Sequence, residues 1–425
     1  MLSDRFLHRI SLIFCLTLII PLSARASYGL IPMDKDQPNH LKAYGVAYSA
    51  LQKGIVMEWL LNYRGGSFLI PDYEGLTQEC MLKGVTIELI PDAMRFQILE
   101  EIARPDINMD VIKMEKAPRI AVYAPDTKQP WDDAVMLALE YAEIPYDLIY
   151  DTDVIEGRLK DYDWLHLHHE DFTGQYGKFY KTFNHMAWYQ KEVADNQTTA
   201  LKNGFEKVSR MKLYVALSIK GYVGNGGFLF SMCSGADSFD IALSAQDVDI
   251  CASMYDGDPA DPDMNNKLDF SQTLAFQNFK LIEDPLEYEF STIDATQSRR
   301  IAQNQDYFTL FDFSAKWDPV PTMLCQNHTR IIKGFMGQTT SFIKDYIKPS
   351  ALIMGENKSL NETRYIHGEF GKGTWTFYGG HDPEDYSHLV GDEHTDLSLH
   401  PNSPGYRLIL NNVLFPAAKK KKQKT

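Results

Sequence analysis

Strands of the buried type alternate with helices from residue 119 onward, and this alternation constrains the fold more than any other feature of the sequence. WDDAVMLALEYAEI (131–144) carries apolar residues at helical spacing, and a longer helical stretch lies around 197–221. The four candidate strands of this region are RIAVYAP (119–125), YDLIYD (146–151), DYDWLHLHHEDF (161–172) and GGFLFSMC (226–233). Strands that alternate with helices form a parallel sheet covered on both faces, so the sequence predicts an α/β fold.

A smaller α/β domain is predicted ahead of this region, over residues 27–117. HLKAYGVAYSALQKG (40–54) and DAMRFQILEEIA (92–103) have helical patterns. IVMEWLLNY (55–63) and GSFLIP (66–71) indicate strands separated by a glycine-containing turn. The sequence therefore predicts two domains after the leader.

The larger domain is predicted to run from 118 to 418 with an insertion at about 244–330. The stretch DGDPADPDMNNKLD (256–269) of this insertion is acidic and rich in residues that break regular structure, which interrupts the alternation of strands and helices. YIHGEFGKGTWTFYGGH (365–381) then indicates a hairpin, and a basic tail occupies 419–425. In the sequence, the segments predicted to form the sheet therefore lie both before and after an irregular segment.

Residues 1–26 have the pattern of a secretory signal peptide. Arg5 and Arg9 precede the apolar run 10–22, and the small residues at 24–26 fit a cleavage site. We therefore expect export to the periplasm or the cell exterior, with no transmembrane span after cleavage. The alternative is an uncleaved membrane anchor.

Charge and cysteine content exclude several classes of partner. The formal net charge is −15, which argues against nucleic acid as a general partner. No C-x-x-C pair is present, so a zinc site built on thiols is not expected. Four cysteines follow the predicted leader, namely Cys80, Cys233, Cys251 and Cys325.

Cys233 lies where the fourth candidate strand ends and a candidate helix begins. A nucleophile at such a strand-to-helix turn, a nucleophile elbow, is held on an exposed corner. The helix N-terminus favours the thiolate, and the backbone N–H of Ser234 is placed to donate to an oxyanion. Gly235 permits the close chain approach that this turn needs. The alternative is a buried structural thiol.

A cysteine nucleophile needs a base, and His381 is the best candidate because it follows a predicted strand end. The carboxyl ends of parallel strands meet at one edge of a sheet, so His381 can approach Cys233 despite the sequence separation. Glu384 or Asp382 would orient the imidazole ring. These residues form a candidate Cys–His–acid set.

From residue 119 to about 415 the chain resembles the class I glutamine amidotransferase-like superfamily. That family has a G-x-C-x-G turn and a late H-P-E motif; here they are S-M-C-S-G (231–235) and H-D-P-E (381–384). Ser231 replaces a glycine, and Asp382 separates His381 from the proline. The resemblance implies a flavodoxin-like, doubly wound parallel sheet with Cys233 as nucleophile, His381 as base and Glu384 as orienting acid.

The sequence S-G-A-D-S (234–238) also resembles the pyrophosphate loop of ATP pyrophosphatase domains. Such loops grip phosphate with backbone N–H groups at a helix start. The whole chain further resembles exported bacterial proteins labelled asparagine synthetase B. This resemblance implies glutamine-dependent asparagine synthesis, although the predicted start at Ser27 supplies no N-terminal cysteine nucleophile.

Two further clusters are candidates for binding. His168 and His169 follow a strand and are candidates for contacting substrate or metal, but no histidine spacing is diagnostic, so no metal site is assigned. If the strand continued, alternation would put His168 and His169 on opposite faces. The acidic loop at 256–263 is most simply a solvated loop, with calcium as the alternative.

The sequence therefore predicts hydrolysis of an amide C–N bond by Cys233 without a cofactor. The competing hypothesis is a non-catalytic protein on the same scaffold that binds a small molecule, a peptide or a carbohydrate. Neither the substrate nor the oligomeric state follows from the sequence.

Overall fold

The structure is a computed structural model that describes residues 27–126, 129–297, 299–324, 328–387 and 389–418. The predicted signal peptide, Cys325 and the basic tail lie outside these residues.

The first sheet is small and wholly antiparallel, with the strand order β4-β1-β3-β2-β5. One of its faces packs on α1 through the aromatic rings of Tyr44, Trp59 and Phe68. The strands of this sheet are β1 (Tyr28–Ile31), β2 (Met57–Leu61), β3 (Ser67–Pro71), β4 (Glu88–Ile90) and β5 (Asp110–Met114). The helices of this region are α1 (His40–Gln52), α2 (Leu76–Leu82) and α3 (Asp92–Ala103).

The second sheet has ten strands and is mixed. Its path is β11-β10-β13-β14-β15-β9-β8-β6-β7, with β12 paired to β14. The five strands from β15 to β7 are parallel, and the pairs on the other side are antiparallel. The strands are β6 (Ile120–Tyr123), β7 (Asp147–Ile149), β8 (Trp164–Leu167), β9 (Phe228–Met232), β10 (Tyr307–Leu310), β11 (Ile331–Lys333), β12 (Phe342–Ile343), β13 (Leu352–Asn357), β14 (Glu362–Phe370) and β15 (Gly373–Tyr378).

The α/β class is thus confirmed, but the sheet is not wholly parallel. The predicted hairpin forms from β14 and β15, whose tight connection makes that pair antiparallel, whereas β15 runs parallel to β9 on its other side. β10 comes from the segment predicted to be an irregular insertion and extends the antiparallel half.

Helices cover both faces of the parallel half. Ile120 and Val122 of β6 enter one apolar core, and Ala121 and Tyr123 enter the other, as expected for a strand buried on both sides. The helices are α4 (Ala134–Ala142), α5 (Asp151–Ile155), α6 (Tyr180–Phe183), α7 (Ala187–Lys202), α8 (Val208–Gly224), α9 (Ser234–Ser244), α10 (Ser253–Asp256) and α11 (Pro404–Leu414).

The two sheets share one apolar core because α1 packs against α4 and α11. Arg407 of α11 is fully buried and donates to the carbonyl oxygen of Met33 at 3.2 Å and to the Tyr44 hydroxyl at 3.1 Å. The small sheet and the large sheet are therefore held together by both packing and buried hydrogen bonds. Among the described residues, no helix has the length and apolar character needed to cross a bilayer.

Candidate functional site

The predicted site residues lie at one edge of the large sheet, where its parallel strands end. His168 and His169 follow β8, Cys233 follows β9, and His381 follows β15 after two glycines. β8 and β9 are neighbours, and so are β9 and β15, so these four side chains start from adjacent positions. Ligands of open α/β sheets bind at this edge.

Cys233 has φ +48° and ψ −139°, a conformation that a non-glycine residue rarely adopts. β9 ends one residue before it and α9 begins one residue after it, so the sharp strand-to-helix turn is present. The next residue but one, Gly235, donates its backbone N–H to the carbonyl oxygen of His168 at 2.7 Å. A Cβ at Gly235 would lie 2.8 Å from that oxygen, so only glycine permits this approach.

The Cys233 thiol is 1% exposed and is surrounded by backbone polar groups. Burial raises its pKa to about 11, although backbone hydrogen bonds from Thr339, Ser234 and Gln338 act in the opposite direction. A Cβ added to Gly337 would lie 3.1 Å from the Cys233 sulfur and 2.9 Å from the backbone nitrogen of His381. The segment 335–341 therefore covers the thiol and brings Cys233 close to the backbone of His381.

The two acidic residues of the H-D-P-E motif have distinct surroundings. Asp382 is fully buried and accepts hydrogen bonds from the backbone of Glu384 at 2.8 Å and from the Tyr406 hydroxyl at 2.8 Å. The Glu384 carboxylate lies 3.2 Å from Nδ1 of His400. Asp382 thus fixes the turn after His381, and the orienting role of Glu384 stays a prediction.

Three imidazole rings meet at this edge. The rings of His168 and His169 are nearly parallel with centroids 3.9 Å apart, and the His381 ring lies 4.7 Å and 4.5 Å from them. Strand alternation does not separate His168 from His169 because β8 ends at Leu167. The sequence left open whether these residues converge, and the end of β8 is what allows it.

Asp133 joins this cluster and was not identified from the sequence as a site residue. It is the N-cap of α4, where its Oδ1 accepts the backbone N–H of Val135 at 2.8 Å. Its two oxygens also lie 3.2 Å from Nε2 of His166 and 3.3 Å from Nδ1 of His168. Burial alone would raise the pKa of Asp133, but the two histidines hold it well below its usual range.

Three backbone N–H groups of the predicted phosphate loop already have acceptors within the protein. Gly235 donates to His168 as described, Ala236 donates to the Cys233 carbonyl at 3.1 Å, and Ser238 donates to its neighbour Asp237 at 3.0 Å. Asp237 also accepts the Thr339 hydroxyl at 2.9 Å, and burial raises its pKa to about 7. These three N–H groups are therefore engaged within the protein, and the phosphate-binding role of this loop stays a prediction.

The acidic loop is held by lysines. Lys207 lies 3.1 Å from Asp256 and 2.5 Å from Asp258, and Lys267 lies 3.6 Å from Asp261. These ion pairs give the carboxylates a structural partner without calcium.

A cleft of about 460 Å³ opens beside the H-D-P-E turn. Pro383 and Glu384 form part of its wall, so the cleft reaches the segment that carries His381. Its other lining residues are Gln303, Asn304, Tyr307, Lys333, Gly334 and Tyr386. Sequence patterns did not indicate this cleft because Gln303, Asn304 and Tyr307 lie in the segment predicted to be an irregular insertion, and Lys333 and Gly334 lie just after it.

Comparisons with known proteins leave the family open. No protein-family model matches the chain, and no curated protein matches it. Similar solved structures include two proteins of Salmonella typhimurium. Cytoplasmic Protein STM3548 is 11% identical with a TM-score of 0.34, over 72% of this chain and 100% of that one. Cytoplasmic Protein STM1381 is 12% identical with a TM-score of 0.31, and the match covers 75% of this chain and 94% of that one.

Another similar structure is Gan42B, a GH42 beta-galactosidase, which is 11% identical with a TM-score of 0.27, over 63% of this chain and 28% of that one. Likenesses this weak carry no argument about activity. Two of the three similar structures are described as cytoplasmic proteins, which contradicts the expectation that this chain is exported. We correct that expectation, and none of the proposals below depends on export.

Proposed function

We propose that the protein is a hydrolase of amide C–N bonds that uses Cys233 as its nucleophile on a flavodoxin-like sheet. The observation that carries the proposal is the left-handed backbone of Cys233 at the turn between β9 and α9. A strained non-glycine residue at the carboxyl edge of a parallel sheet is typical of a nucleophile elbow. The parallel order β7-β6-β8-β9-β15, numbered along the chain, is 2-1-3-4-5, which is the flavodoxin-like order.

In this mechanism the Cys233 sulfur attacks the amide carbonyl carbon while His381 takes the thiol proton. The backbone N–H of Ser234 stabilises the oxyanion, and His381 then gives the proton to the leaving amine as the C–N bond breaks. Water hydrolyses the resulting thioester to a carboxylic acid and restores the thiol. Glu384 keeps His381 in the required tautomer, and His168, His169 and Asp382 border the substrate.

The buried thiol requires that the segment 335–341 move before a substrate can reach Cys233. With its pKa raised to about 11, the thiol is neutral at neutral pH until a base accepts its proton.

The burial of the Cys233 thiol also favours a second candidate function. In this alternative, a non-catalytic protein keeps the scaffold and binds a small molecule, a peptide or a carbohydrate in the cleft beside the H-D-P-E turn.

The deciding experiment measures release of ammonia or amine from a panel of amides, including glutamine and asparagine, by the purified full chain. We expect Cys233→Ser and His381→Ala each to lower kcat by about a hundredfold or more, because each removes a group from the reacting set. Cys251→Ser is the matched control, since the Cys251 thiol is also buried but donates to the Thr173 carbonyl at 3.1 Å, which is not a group of the proposed reacting set. Equal, small effects of both cysteine changes would favour the binding protein.

Alkylation by iodoacetamide should distinguish the thiols as pH rises. Burial raises the pKa of Cys80 to about 12 and that of Cys251 well above its usual value, whereas backbone donors limit the rise at Cys233 to about 11. We therefore expect Cys233 to be labelled before Cys80 and Cys251, at a rate that increases about tenfold per pH unit below pH 11 because only the thiolate reacts. Peptide mass spectrometry after timed labelling measures this order, and labelling of Cys233 last would contradict it.

A further inference from the structure

We propose that His168, His169 and His381 form a binding site for a divalent metal ion of the zinc type. One nitrogen from each ring can be chosen so that all three lie within 4.8 Å of one another. Two of the rings come from the chain after β8 and the third from the chain after β15, so the fold brings them together across the sheet edge. Neutral imidazole nitrogens are preferred ligands of zinc, copper and nickel.

The oxygen atoms around the cluster select which ring nitrogens face the metal. His169 donates its Nε2–H to the backbone carbonyl of Asp132 at 2.8 Å, which leaves Nδ1 of the neutral ring as a ligand. Nδ1 of His168 lies 3.3 Å from the Asp133 carboxylate, which leaves Nε2. A metal-bound histidine commonly gives its other ring nitrogen to a carboxylate or a carbonyl, and an oxygen of each kind lies beside these two rings.

His168 supplies a second, independent observation. Its side chain is 1% exposed, and neither ring nitrogen makes a hydrogen bond within the described residues, although Nδ1 lies 3.3 Å from the Asp133 carboxylate and Nε2 has no such neighbour. A buried polar atom without a partner is costly, because it has lost its contact with water and gained nothing in return. A metal ion between the rings would satisfy this atom.

Two other groupings of ligand-type residues fit a metal less well. The first grouping is Asp133, His166 and His168, in which Asp133 already contacts both histidines and caps α4. His166 places its Nδ1 3.1 Å from the Phe230 carbonyl and its Nε2 beside Asp133. In the second, Asp249 and Asp256 share Lys207 as an ion-pair partner. The carboxylates of both groupings are therefore engaged within the protein.

Three histidine ligands leave a fourth position open, which is the arrangement of catalytic rather than structural zinc sites. His169 is only partly buried, so the cluster reaches the surface on that side. Metal binding goes beyond the proposed function and does not rest on it. Because a metal on His381 would occupy the lone pair that accepts the thiol proton, zinc should inhibit any hydrolysis that depends on Cys233.

The test is titration of the metal-free full chain with Co²⁺, followed by visible absorption, and with Zn²⁺, followed by calorimetry. We expect one equivalent to bind and the absorption bands of a four-coordinate Co²⁺ site to appear. His169→Ala and His381→Ala should each weaken binding at least tenfold by removing a ligand. His185→Ala is the matched control, since His185 is exposed and belongs to none of the clusters of possible metal ligands among the described residues, and this variant should bind as the wild type does.

A measurement of the melting temperature separates the metal site from the chemistry of Cys233. Zinc should raise the Tm of the wild type and of Cys233→Ser equally but leave His169→Gln unchanged, a variant that keeps the half-buried position polar. Failure of Cys233 chemistry with intact Co²⁺ binding would overturn only the proposed hydrolase. Absence of a one-to-one Co²⁺ complex, or equal affinity of His169→Ala and His185→Ala, would overturn the metal site.

Discussion

Gly45→Ala is expected to lower the free energy of unfolding by about 3 kcal/mol, because it inserts a methyl group where two helices meet through their backbones. Gly45 lies in α1 and faces the C-terminal end of α4. A Cβ at this position would lie 1.8 Å from the carbonyl oxygen of Ala142 and 2.9 Å from its carbonyl carbon. Backbone atoms cannot rotate away as a side chain can, so α1 would have to separate from α4 and disturb the core that joins the two sheets.

Gly221→Ala is the matched control for this change. Gly221 also lies inside a helix, α8, but it is exposed, and a Cβ there would meet nothing within 4 Å. Without a steric conflict the alanine should stabilise the protein by about 0.5–1 kcal/mol through its better helix propensity. Urea unfolding of the three proteins measures both values. A stabilised Gly45→Ala variant would contradict the close contact of α1 with α4.

Local patterns predicted the elements of the parallel half well, because each carries its own periodicity and end signals. The apolar strand expected at 119–125 contains β6, the helix expected at 131–144 contains α4, and the strand expected at 226–233 contains β9. The helical stretch around 197–221 is divided between α7 and α8. Gly204, with φ +81°, lies in the break between those two helices.

Apart from the hairpin of β14 and β15, the antiparallel half could not be predicted from local patterns. β10, β11 and β12 are two to four residues long, too short to show an alternation, and they are arranged by pairing with distant strands. β15 was expected only as half of a hairpin, because its parallel pairing with β9 depends on chain segments about 145 residues apart. Strand pairing over such distances is a property of the tertiary fold.

The candidate site also has one part that local sequence patterns predict and other parts that depend on the tertiary fold. The strand-to-helix turn at Cys233 follows from a strand pattern directly before a helix pattern, so the sequence was sufficient to locate this turn. The cover formed by 335–341 and the contact of Asp133 with His168 depend on approach between remote segments, and neither carries a motif. The only local signal for Asp133 was its position before a helix, where an aspartate is already explained as an N-cap.

Lys212→Met is expected to lower the free energy of unfolding by about 3–5 kcal/mol, because it leaves the Asp151 carboxylate buried without its partner. The two side chains are 5% and 0% exposed, and the Lys212 nitrogen lies 2.9 Å from Asp151 and 3.1 Å from the Tyr150 hydroxyl. Burial alone would lower the pKa of Lys212, but Asp151 and Tyr150 raise it above its usual value, so the ammonium stays charged at neutral pH.

Lys191→Met is the matched control, because Lys191 makes a similar contact in an exposed position. It lies 2.5 Å from Asp195 one helical turn away, and the two side chains are 59% and 50% exposed. An exposed pair of this kind contributes little, so the change in the free energy of unfolding should stay below about 0.5 kcal/mol.

The double change Lys212→Met with Asp151→Leu should recover much of the stability lost in Lys212→Met, because an apolar pair carries no unpaired charge. If the double variant is as unstable as Lys212→Met in urea unfolding, the cost arises from packing around α8 and not from the stranded carboxylate.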